Sequence, residues 1–546
     1  MNMKKVVSAV CALGASVAMA ATNSADVVVF GASSAGIAAA VQATRMNLNV
    51  VVLEPYEHVG GLTTGGLGAT DTGRAGVTRA IGGISREFYQ AVKKHYEKPQ
   101  SWTCEKAEDY EKIHNMKDSD AMWFFEPSVA QGILDGWIKR DKLRIIKNAK
   151  LDRGPDGVTM KDGKIAALRT LGGDVWQAKV FIDATYEGDL MAAAGVKYAV
   201  GREANSVYGE TLNGAQPNEG YHKLRKGVDP YVVKGNPASG LLPGIDPEPM
   251  GEVGEGDKRV QAYCYRMCLT DEPSNRIAFE KPAGYDERDY ELLFRNFEAG
   301  EDGLPLGSGR MPNRKTDTNN ARGTSSDFIG QNYTWAEASY TARERMAAAH
   351  LKYQKGLVWT LANHPRVPQK IRREFVNWGV CKDEFVATHG WSPQLYVREA
   401  RRMIGEFIQT EQVCRGEVKV AKPIALATYM MDSHHVRRYV TAEGYVQNEG
   451  DVEVGWDEIE PYPIDYGAIT PKRAECRNLL VPICLSASHI AYGSIRMEPV
   501  FFAVGQAAGT AAALAIADNV DVQGVDYNAL RSRLLADGQV IAWEKK

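Results

Sequence analysis

The chain has 546 residues, of which 44% are hydrophobic and 24% are charged, the balance of an ordinary soluble globular protein with two or three structural units. Its formal net charge is −3 and it has no basic block, which argues against nucleic acid or an anionic lipid surface as a partner. A small, neutral or weakly charged substrate fits this charge better.

The first twenty residues have the layout of a cleavable secretory leader. Lys4 and Lys5 precede an apolar stretch from Val6 to Ala18, and small residues stand at Ala18 and Ala20. An uncleaved anchor is less favoured, because the apolar stretch is shorter than the roughly 20 residues that span a bilayer. We expect cleavage after Ala20, a periplasmic or secreted protein, and no membrane span after the leader.

Without the leader the chain keeps seven cysteines, an odd number that leaves at least one thiol outside an internal disulfide. No CxxC or CxxCH sequence occurs, so the spacing indicates neither a zinc clamp nor a c-type haem site. Cys264 and Cys268 either form a disulfide in an oxidising compartment or are two buried thiols.

The first element pattern of the chain is a strand, a turn, a helix and a second strand. The strand covers residues 26–30, the helix runs to about residue 46, and the second strand covers residues 49–53. Glu54 ends that second strand, the position from which a carboxylate holds a ribose diol. The pattern is typical of a dinucleotide-binding unit, with a solvated acid at the strand end as the alternative for Glu54.

The turn of this unit is expected to meet a pyrophosphate through its backbone N–H groups and the start of the helix. We expect Gly31, Ser33, Ser34 and Gly36 to line it, with Ser33 where a GxGxxG turn has its middle glycine. Serine weakens the match to the motif, but it is small and can donate a hydrogen bond.

A glycine-rich loop follows at residues 59–68, and it is too rich in glycine for a core element. Its exposed backbone, with Gly60, Gly61 and Leu62, is expected to cradle the rest of the cofactor. A flexible surface loop is the alternative interpretation.

Hairpin signals at residues 154–157 and 162–163 predict a β-meander, which leads into an apolar strand ending at Asp183. From about residue 201 to 460 the chain changes to Pro/Gly-rich loops and many aromatics, with helical patterns at 336–354 and 395–412. The second pattern would make Arg402 and Glu406 a surface pair one helical turn apart.

The last part of the chain contains an apolar strand at 478–484 and an Ala-rich helix at 499–518. We therefore divide the chain into a leader (1–20), the first part of a nucleotide-binding domain (21–200), an inserted substrate domain (201–460) and the C-terminal part of the nucleotide-binding domain (461–546).

Six segments carry a specific resemblance over nearly the whole mature chain: 58–61, 80–89, 125–127, 183–189, 395–402 and 488–509. On these segments the chain resembles the secreted FAD-dependent oxidoreductase family, often labelled xanthan-lyase-like, of the glutathione-reductase-type flavoproteins. The resemblance implies an α/β fold: a three-layer Rossmann-like FAD-binding domain with a parallel sheet and a β-meander, and an inserted α+β substrate domain.

The resemblance also implies site residues near the last helix. The helix that begins near Pro499 would point its positive end at the N1/C2=O edge of the flavin, where reduced flavin carries negative charge. FAD contacts are implied at Ser488, Glu498, Gly505 and Gln506. The Gly-Asp pair of many superfamily members is missing before this helix, which leaves the contacts to the ribityl-phosphate part open.

Histidines are the natural acid/base candidates near neutral pH. His489 precedes the last helix, and His434 and His435 lie in a polar segment with two arginines; each has a packing or capping role as its alternative. Arg496 completes the catalytic candidates. Two adjacent histidines without a spaced third ligand do not indicate a metal site, so none is expected.

The expected activity is hydride transfer between a small-molecule substrate and flavin N5, with oxidation of an alcohol and an unidentified electron acceptor. A carbohydrate or glycoside substrate rests on family analogy alone. The alternatives are reduction of an activated C=C bond, a flavin-carrying electron-transfer protein, and the polysaccharide lyase that the family label suggests.

Overall fold

The structure is a computed structural model that describes residues 22–72, 76–114, 120–217, 220, 222–455 and 457–544. The predicted leader lies outside these residues.

Strands and short bridging strands alternate with helices along the chain. The strands are β1 (Thr22–Phe30), β2 (Val50–Leu53), β3 (Arg144–Ile146), β4 (Val158–Lys161), β5 (Lys164–Arg169), β6 (Val175–Asp183), β7 (Tyr198–Ala199), β8 (Cys264–Tyr265), β9 (Met267–Thr270), β10 (Arg276–Ala278), β11 (Leu306–Met311), β12 (Lys315–Asn320), β13 (Gly379–Cys381), β14 (Leu395–Tyr396), β15 (Arg402–Met403), β16 (Pro423–Ala427), β17 (Asp432–Ser433), β18 (Arg437–Val440), β19 (Val446–Glu449), β20 (Val452–Glu453), β21 (Tyr462–Asp465) and β22 (Leu479–Leu480). The helices are α1 (Ser34–Arg45), α2 (Gly61–Thr64), α3 (Gly83–Tyr96), α4 (Ala107–His114), α5 (Pro127–Arg140), α6 (Asp189–Ala193), α7 (Asn205–Tyr208), α8 (Glu291–Glu298), α9 (Tyr340–Asn363), α10 (Gln369–Phe375), α11 (Glu411–Cys414), α12 (His489–Ile495), α13 (Glu498–Ala517) and α14 (Tyr527–Ala536).

The main sheet has a parallel part in the order β3-β2-β1-β6-β22 and an antiparallel extension, β5-β4. Val28 of β1 pairs with Val51 on one side and Phe181 on the other. β1 and β2 read as continuous apolar runs because both faces of a parallel sheet are covered. The α/β class, the opening unit and the β4–β5 hairpin are confirmed.

α1 and α13 pack against each other through small residues. A Cβ on Gly505 would lie 2.6 Å from the Ala35 Cα, and one on Gly509 would lie 2.5 Å from the Ala39 carbonyl oxygen. Any larger side chain at these two positions would separate the helices. The predicted Ala-rich helix is therefore confirmed, and its composition is explained by this contact.

α13 is apolar and long enough to cross a bilayer by length and composition. Its apolar window is 83% buried inside the protein. A helix that is apolar all round is also what a core position demands, and α13 occupies one.

A second sheet is antiparallel, with the strand order β10-β13-β9-β12-β11. α8, α9 and α10 pack on it around a core of their own, which includes Phe294, Leu357, Leu361 and Phe375. α9 confirms the first helical pattern and begins at Ser339, whose hydroxyl accepts the Ala342 N–H. The domain boundaries at residues 200/201 and 460/461 stay a prediction.

The helix predicted at 395–412 is wrong. The segment contains β14, β15 and extended chain, and α11 begins only at Glu411. Arg398, Arg401 and Arg402 are each 1% exposed because they enter the core to meet carboxylates from distant segments. These tertiary ion pairs override the helical periodicity of the segment.

The surface pair predicted for Arg402 and Glu406 is wrong for the same reason. Arg402 binds Glu399 at 2.7 Å and Glu203 at 2.6 Å, and Glu406 instead accepts the Arg473 N–H. The strand predicted at 478–484 is shorter than expected, because only Leu479 and Leu480 pair with β6.

The cysteines of the described residues are all free thiols, and Cys264 and Cys268 do not bridge. Arg398 donates to the Cys264 Sγ at 3.2 Å. Cys268 lies opposite Cys381 across β9 and β13, with the two Sγ atoms 3.7 Å apart. The alternative of buried thiols therefore describes this pair.

Candidate active site

The turn between β1 and α1 fastens the start of the helix to the end of β6. Ser33 is the N-cap of α1: its hydroxyl accepts the Gly36 N–H at 3.2 Å and donates to the Ala184 carbonyl at 2.7 Å. Gly31 has φ +102°, and a Cβ there would lie 2.7 Å from the Ala184 carbonyl carbon. Serine at the middle position of the motif therefore caps the helix with its side chain, through a hydrogen bond that glycine could not make.

Glu54 lies where predicted, at the end of β2. Its two carboxylate oxygens accept the N–H groups of Ala32 at 2.7 Å and Tyr56 at 2.9 Å. Burial raises the pKa of Glu54 to about 8. Beside it lies a cavity of about 170 Å³ whose aromatic walls are Tyr56, Tyr265 and Trp335.

The glycine-rich loop folds over the start of α1. Gly60 and Gly61 have φ values of +101° and +56°, conformations that glycine adopts without strain. Gly60 donates to the Ala32 carbonyl at 2.7 Å, and Leu62 donates its N–H to the Tyr186 hydroxyl at 2.9 Å. The predicted loop residues and the predicted turn thus form one structure, which we call the cradle: residues 31–36, 54 and 60–63.

The start of α13 closes the cradle through Glu498. Its carboxylate accepts hydrogen bonds from Tyr186 at 2.8 Å and from Thr63 at 2.6 Å. Burial raises the pKa of Glu498, and Ser34 lies close enough to contribute to its environment. The N-termini of α1 and α13 therefore converge on one place, which favours negative charge there.

Three further residues predicted as cofactor contacts have other partners. Gly505 is a spacer against Ala35, two turns along α13 from Glu498, and the Gln506 side chain accepts the Ile84 N–H at 2.8 Å. Ser488 caps α12 and donates to Glu210 at 2.6 Å.

A mostly buried group of charged and polar residues, which we call the charged array, adjoins the α13 end of the cradle. It consists of Asp71, Arg266, Asp317, Tyr396, Asp432 and Arg496. Arg266 binds Asp317 at 2.8 Å, and Arg496 binds both Asp432 and the Tyr396 hydroxyl at 2.9 Å. The array adjoins the cradle because Arg496 is two residues before Glu498, which binds Thr63 of the cradle. Gly66, three residues beyond the cradle loop, packs on Arg266.

Asp71 stands out in this array because its carboxyl has no arginine within ion-pair distance among the described residues. Burial raises its pKa to about 6; the nearby cations Arg266 and Arg496 oppose that shift, and Asp317 and Asp432 add to it. A carboxyl with this pKa can accept a proton near neutral pH.

The four catalytic candidates separate into two groups. His434 and Arg496 meet at Asp432, whose carboxylate lies 3.7 Å from the His434 Nε2 and 2.9 Å from the Arg496 Nη2. His434 also binds Asp327 at 2.9 Å. His489 lies nearby, with both nitrogens engaged: Nδ1 with Glu399 at 2.8 Å and Nε2 with Ser433 at 3.1 Å.

His435 points the other way, since consecutive side chains of an extended segment face opposite sides. Its Nε2 meets the His222 carbonyl at 2.6 Å and lies 3.3 Å from Asp451. It is fully buried.

Sequence reasoning missed Asp71, Arg266, Asp317 and Asp432. Asp71 and Asp432 had a signal, because one follows the glycine loop directly and the other is two residues before His434. Arg266 lies in no motif, and only the pairing of β9 with β12 shows its contact with Asp317.

A family model described as FAD dependent oxidoreductase matches residues 26–534. No curated protein matches the chain significantly. Among solved structures, L-proline dehydrogenase from P. horikoshii has 14% identity and a TM-score of 0.24, covering 34% of this chain and 59% of that one. L-amino acid deaminase from Proteus vulgaris has 16% identity and a TM-score of 0.25, covering 34% and 53%. The matched part thus spans little more than half of those chains.

The cradle suits FAD on its own geometry. Gly61 must be glycine for the loop to pack this closely, because a Cβ there would overlap the Tyr186 hydroxyl. Glu54 can hold the adenosine ribose, and the aromatic cavity beside it suits a purine. The family match covers all of these elements, so the chain belongs to the FAD-dependent oxidoreductase family and is an enzyme with FAD as its cofactor.

Proposed function

We propose that this enzyme oxidises a hydroxyl group of a small polar substrate, a carbohydrate or glycoside alcohol, and passes the electrons to a separate acceptor. The observation that carries the proposal is the charged array beside the α13 end of the cradle. Bound FAD supplies the two-electron chemistry, with N5 as the hydride acceptor.

The array provides the proton chemistry that alcohol oxidation needs. A hydroxyl must lose its proton as the C–H bond breaks, so a base has to lie within hydrogen-bond reach. Asp71, with its pKa raised to about 6, is deprotonated at neutral pH and has no arginine partner within ion-pair distance among the described residues. We assign it as the base, with His434 as the adjoining group that holds Asp432 in place.

The two arginines of the array provide binding and orientation. Arg266 and Arg496 are both almost fully buried, and each planar guanidinium has N–H donors beyond those that bind its carboxylate partner. Such donors suit the electronegative oxygens of a polyhydroxylated substrate, whereas an apolar substrate would leave them unpaired at a cost of about 1–3 kcal/mol for each lost partner. The array therefore favours a polar substrate over a steroid-like or aliphatic one.

Location is a separate proposal, which the predicted leader supports. Cleavage after Ala20 would leave β1 as the first element, since that strand begins at Thr22. Expression of the full chain in a bacterium, followed by periplasmic fractionation and N-terminal sequencing, tests this proposal; a cytoplasmic protein that retains Met1 would contradict it.

The activity is tested by an absorbance spectrum followed by anaerobic addition of a sugar panel. Bleaching of the flavin bands by one sugar supports alcohol oxidation and names its class. Bleaching by NADH, with reoxidation by an activated alkene, would replace it with C=C reduction. An unsaturated uronic product formed without bleaching would identify a lyase. Bleaching only by a protein reductant would indicate electron transfer.

A further inference from the structure

Three side chains outside the charged array direct their ligand atoms at one another: His222, Asp451 and Glu453. These atoms all lie within 4.8 Å of each other. The His222 Nδ1 lies 2.8 Å from Asp451 and 3.7 Å from Glu453. We propose that His222, Asp451 and Glu453 bind one divalent metal ion of the Zn²⁺ or Mn²⁺ type.

The spacing of the three atoms suits coordination. Bonds of about 2.0–2.2 Å to nitrogen and oxygen place neighbouring ligand atoms of a tetrahedral ion roughly 3.3–3.6 Å apart. The separations of 2.8 and 3.7 Å lie on either side of that range, so small side-chain adjustments would complete the site. One imidazole with two carboxylates is a donor set for zinc or manganese.

Charge also favours a cation at this place. The neighbouring buried carboxylates each have an arginine partner: Asp327 with Arg398, Glu399 with Arg402, Asp432 with Arg496, and Glu449 with Arg202. Within the part of the chain that the structure describes, Asp451 and Glu453 pair only with histidines.

The site has the supporting contact that metal ligands usually have. His435 lies behind Asp451, with its Nε2 3.3 Å from the carboxylate and 2.6 Å from the His222 carbonyl. A donor in this position fixes the orientation of a ligating carboxylate. Glu453, with 39% of its side chain exposed, leaves the site open to ions from solvent.

A second acidic cluster differs from this one, because a cation from the protein already binds it. Glu126, Asp383 and Glu384 also gather their carboxylates within 4.8 Å. There the Lys315 Nζ lies 2.7, 2.8 and 2.7 Å from the three side chains, so an ammonium group already supplies the positive charge. No such cation is described at Asp451 and Glu453.

The proposed ion would adjoin the active site without belonging to it. β17 pairs with β20 so that Asp432 lies directly opposite Glu453. A metal bound to Glu453 would therefore hold the strand pair that positions Asp432 for Arg496.

The test is a metal titration of the purified full-length protein after removal of ions with EDTA. Zn²⁺, Mn²⁺ and Co²⁺ are added in turn, with bound metal counted by plasma mass spectrometry and cobalt followed by its visible absorption. We expect one ion per chain and a higher unfolding midpoint. Glu453→Gln and Asp451→Asn should abolish stoichiometric binding, and His435→Ala should weaken it on the order of 10–100-fold.

Asp383→Asn is the matched control, because it removes a carboxylate from the cluster that Lys315 already fills, and its metal binding should equal that of the wild type. Glu453→Gln keeps the shape of a half-exposed side chain, so it folds even if Asp451→Asn does not. A protein that binds no ion in the titration, or one that binds equally well after Glu453→Gln, would overturn the proposal.

Discussion

The cradle and the charged array are adjacent, but different kinds of chemical group form them. The cradle consists of backbone N–H groups, glycines and small hydroxyls, most of them from one stretch, residues 31–63, with α13 closing it. The array consists of long charged side chains that arrive from residues as far apart as 71 and 496. In the cradle the close approach of backbone segments limits which residues fit. In the array each buried charge requires a partner of opposite charge.

This difference decides how each region should respond to substitution. A buried charge whose partner is removed leaves an uncompensated ion, which is more costly than the loss of both partners together. A cradle residue that is enlarged instead forces backbone segments apart. The array should therefore depend on pairs of residues and the cradle on single positions.

The largest effect on stability is expected from Arg266→Met. Asp317 is fully buried and binds Arg266 at 2.8 Å, so the substitution leaves a carboxylate without its cation. We expect a loss of about 3–5 kcal/mol in the free energy of unfolding, measured by denaturant titration.

The double variant Arg266→Met/Asp317→Leu sharpens this prediction, since it removes both charges and should recover most of the loss. Arg45→Met is the surface control: Arg45 and Glu87 are 33% and 35% exposed, and that pair should contribute no more than about 1 kcal/mol. A double variant as unstable as the single one would show that the pair itself, rather than the stranded charge, maintains the fold.

The next prediction concerns catalysis, and its variant is Asp71→Asn. A base with a pKa of about 6 is active when deprotonated, so kcat/KM of the wild type should rise with pH through 6 and level off above it. Asn cannot accept the proton, so kcat should fall on the order of 10²–10⁴-fold and the limb near pH 6 should disappear. Steady-state rates with the sugar that bleaches the flavin measure both.

The control for Asp71→Asn is cofactor content. Asp71 lies outside the cradle, so the variant should hold as much FAD as the wild type and unfold at a similar midpoint. A variant that retains the pH limb near 6 would assign the base to another group, with His434 the next candidate.

The sequence predicted the cradle better than the array for a physical reason. Gly31, Ser33, Glu54 and Gly60 act through local geometry, and the spacing of a strand–turn–helix unit is written in consecutive residues. The small residues of α13 likewise indicated close packing, although we expected a sheet as the partner and the structure places Gly505 against Ala35 of α1.

The ion pairs of the array were not predicted, because they join residues that lie 51 and 64 positions apart in the chain: Arg266 with Asp317, and Arg496 with Asp432. No pattern among neighbouring residues of the sequence indicates such a contact. The arginine-rich segment at 395–412 was even misleading, because its periodicity matches a helix while its charges serve the core. The same limit applies to the proposed metal site, whose His222 is more than 200 residues from Asp451.

A smaller effect on stability is expected where α1 and α13 pack closely against each other. Gly505→Ala introduces a methyl group against the Ala35 backbone and should cost about 1–3 kcal/mol of stability. Gly136→Ala is the matched control at an exposed position of helix α5, where nothing lies within 4 Å of the added Cβ, and it should stabilise the protein by up to about 1 kcal/mol. Thermal unfolding of the two variants, compared with the wild type, measures both shifts. Equal effects would mean that α1 and α13 can separate without penalty.

The smallest effect distinguishes two roles of Ser33, the residue that departs from the glycine motif. Ser33→Ala removes the hydroxyl that caps α1 and binds the Ala184 carbonyl, so we expect a loss of about 1 kcal/mol. Ser33→Gly restores the glycine pattern and should lose less, because glycine is itself a tolerable N-cap. If serine serves the helix, both variants should bind FAD with nearly wild-type affinity, measured by quenching of flavin fluorescence. Weakened FAD binding at unchanged stability would instead show that the hydroxyl contacts the cofactor, and the cradle would then depend on a side chain as the array does.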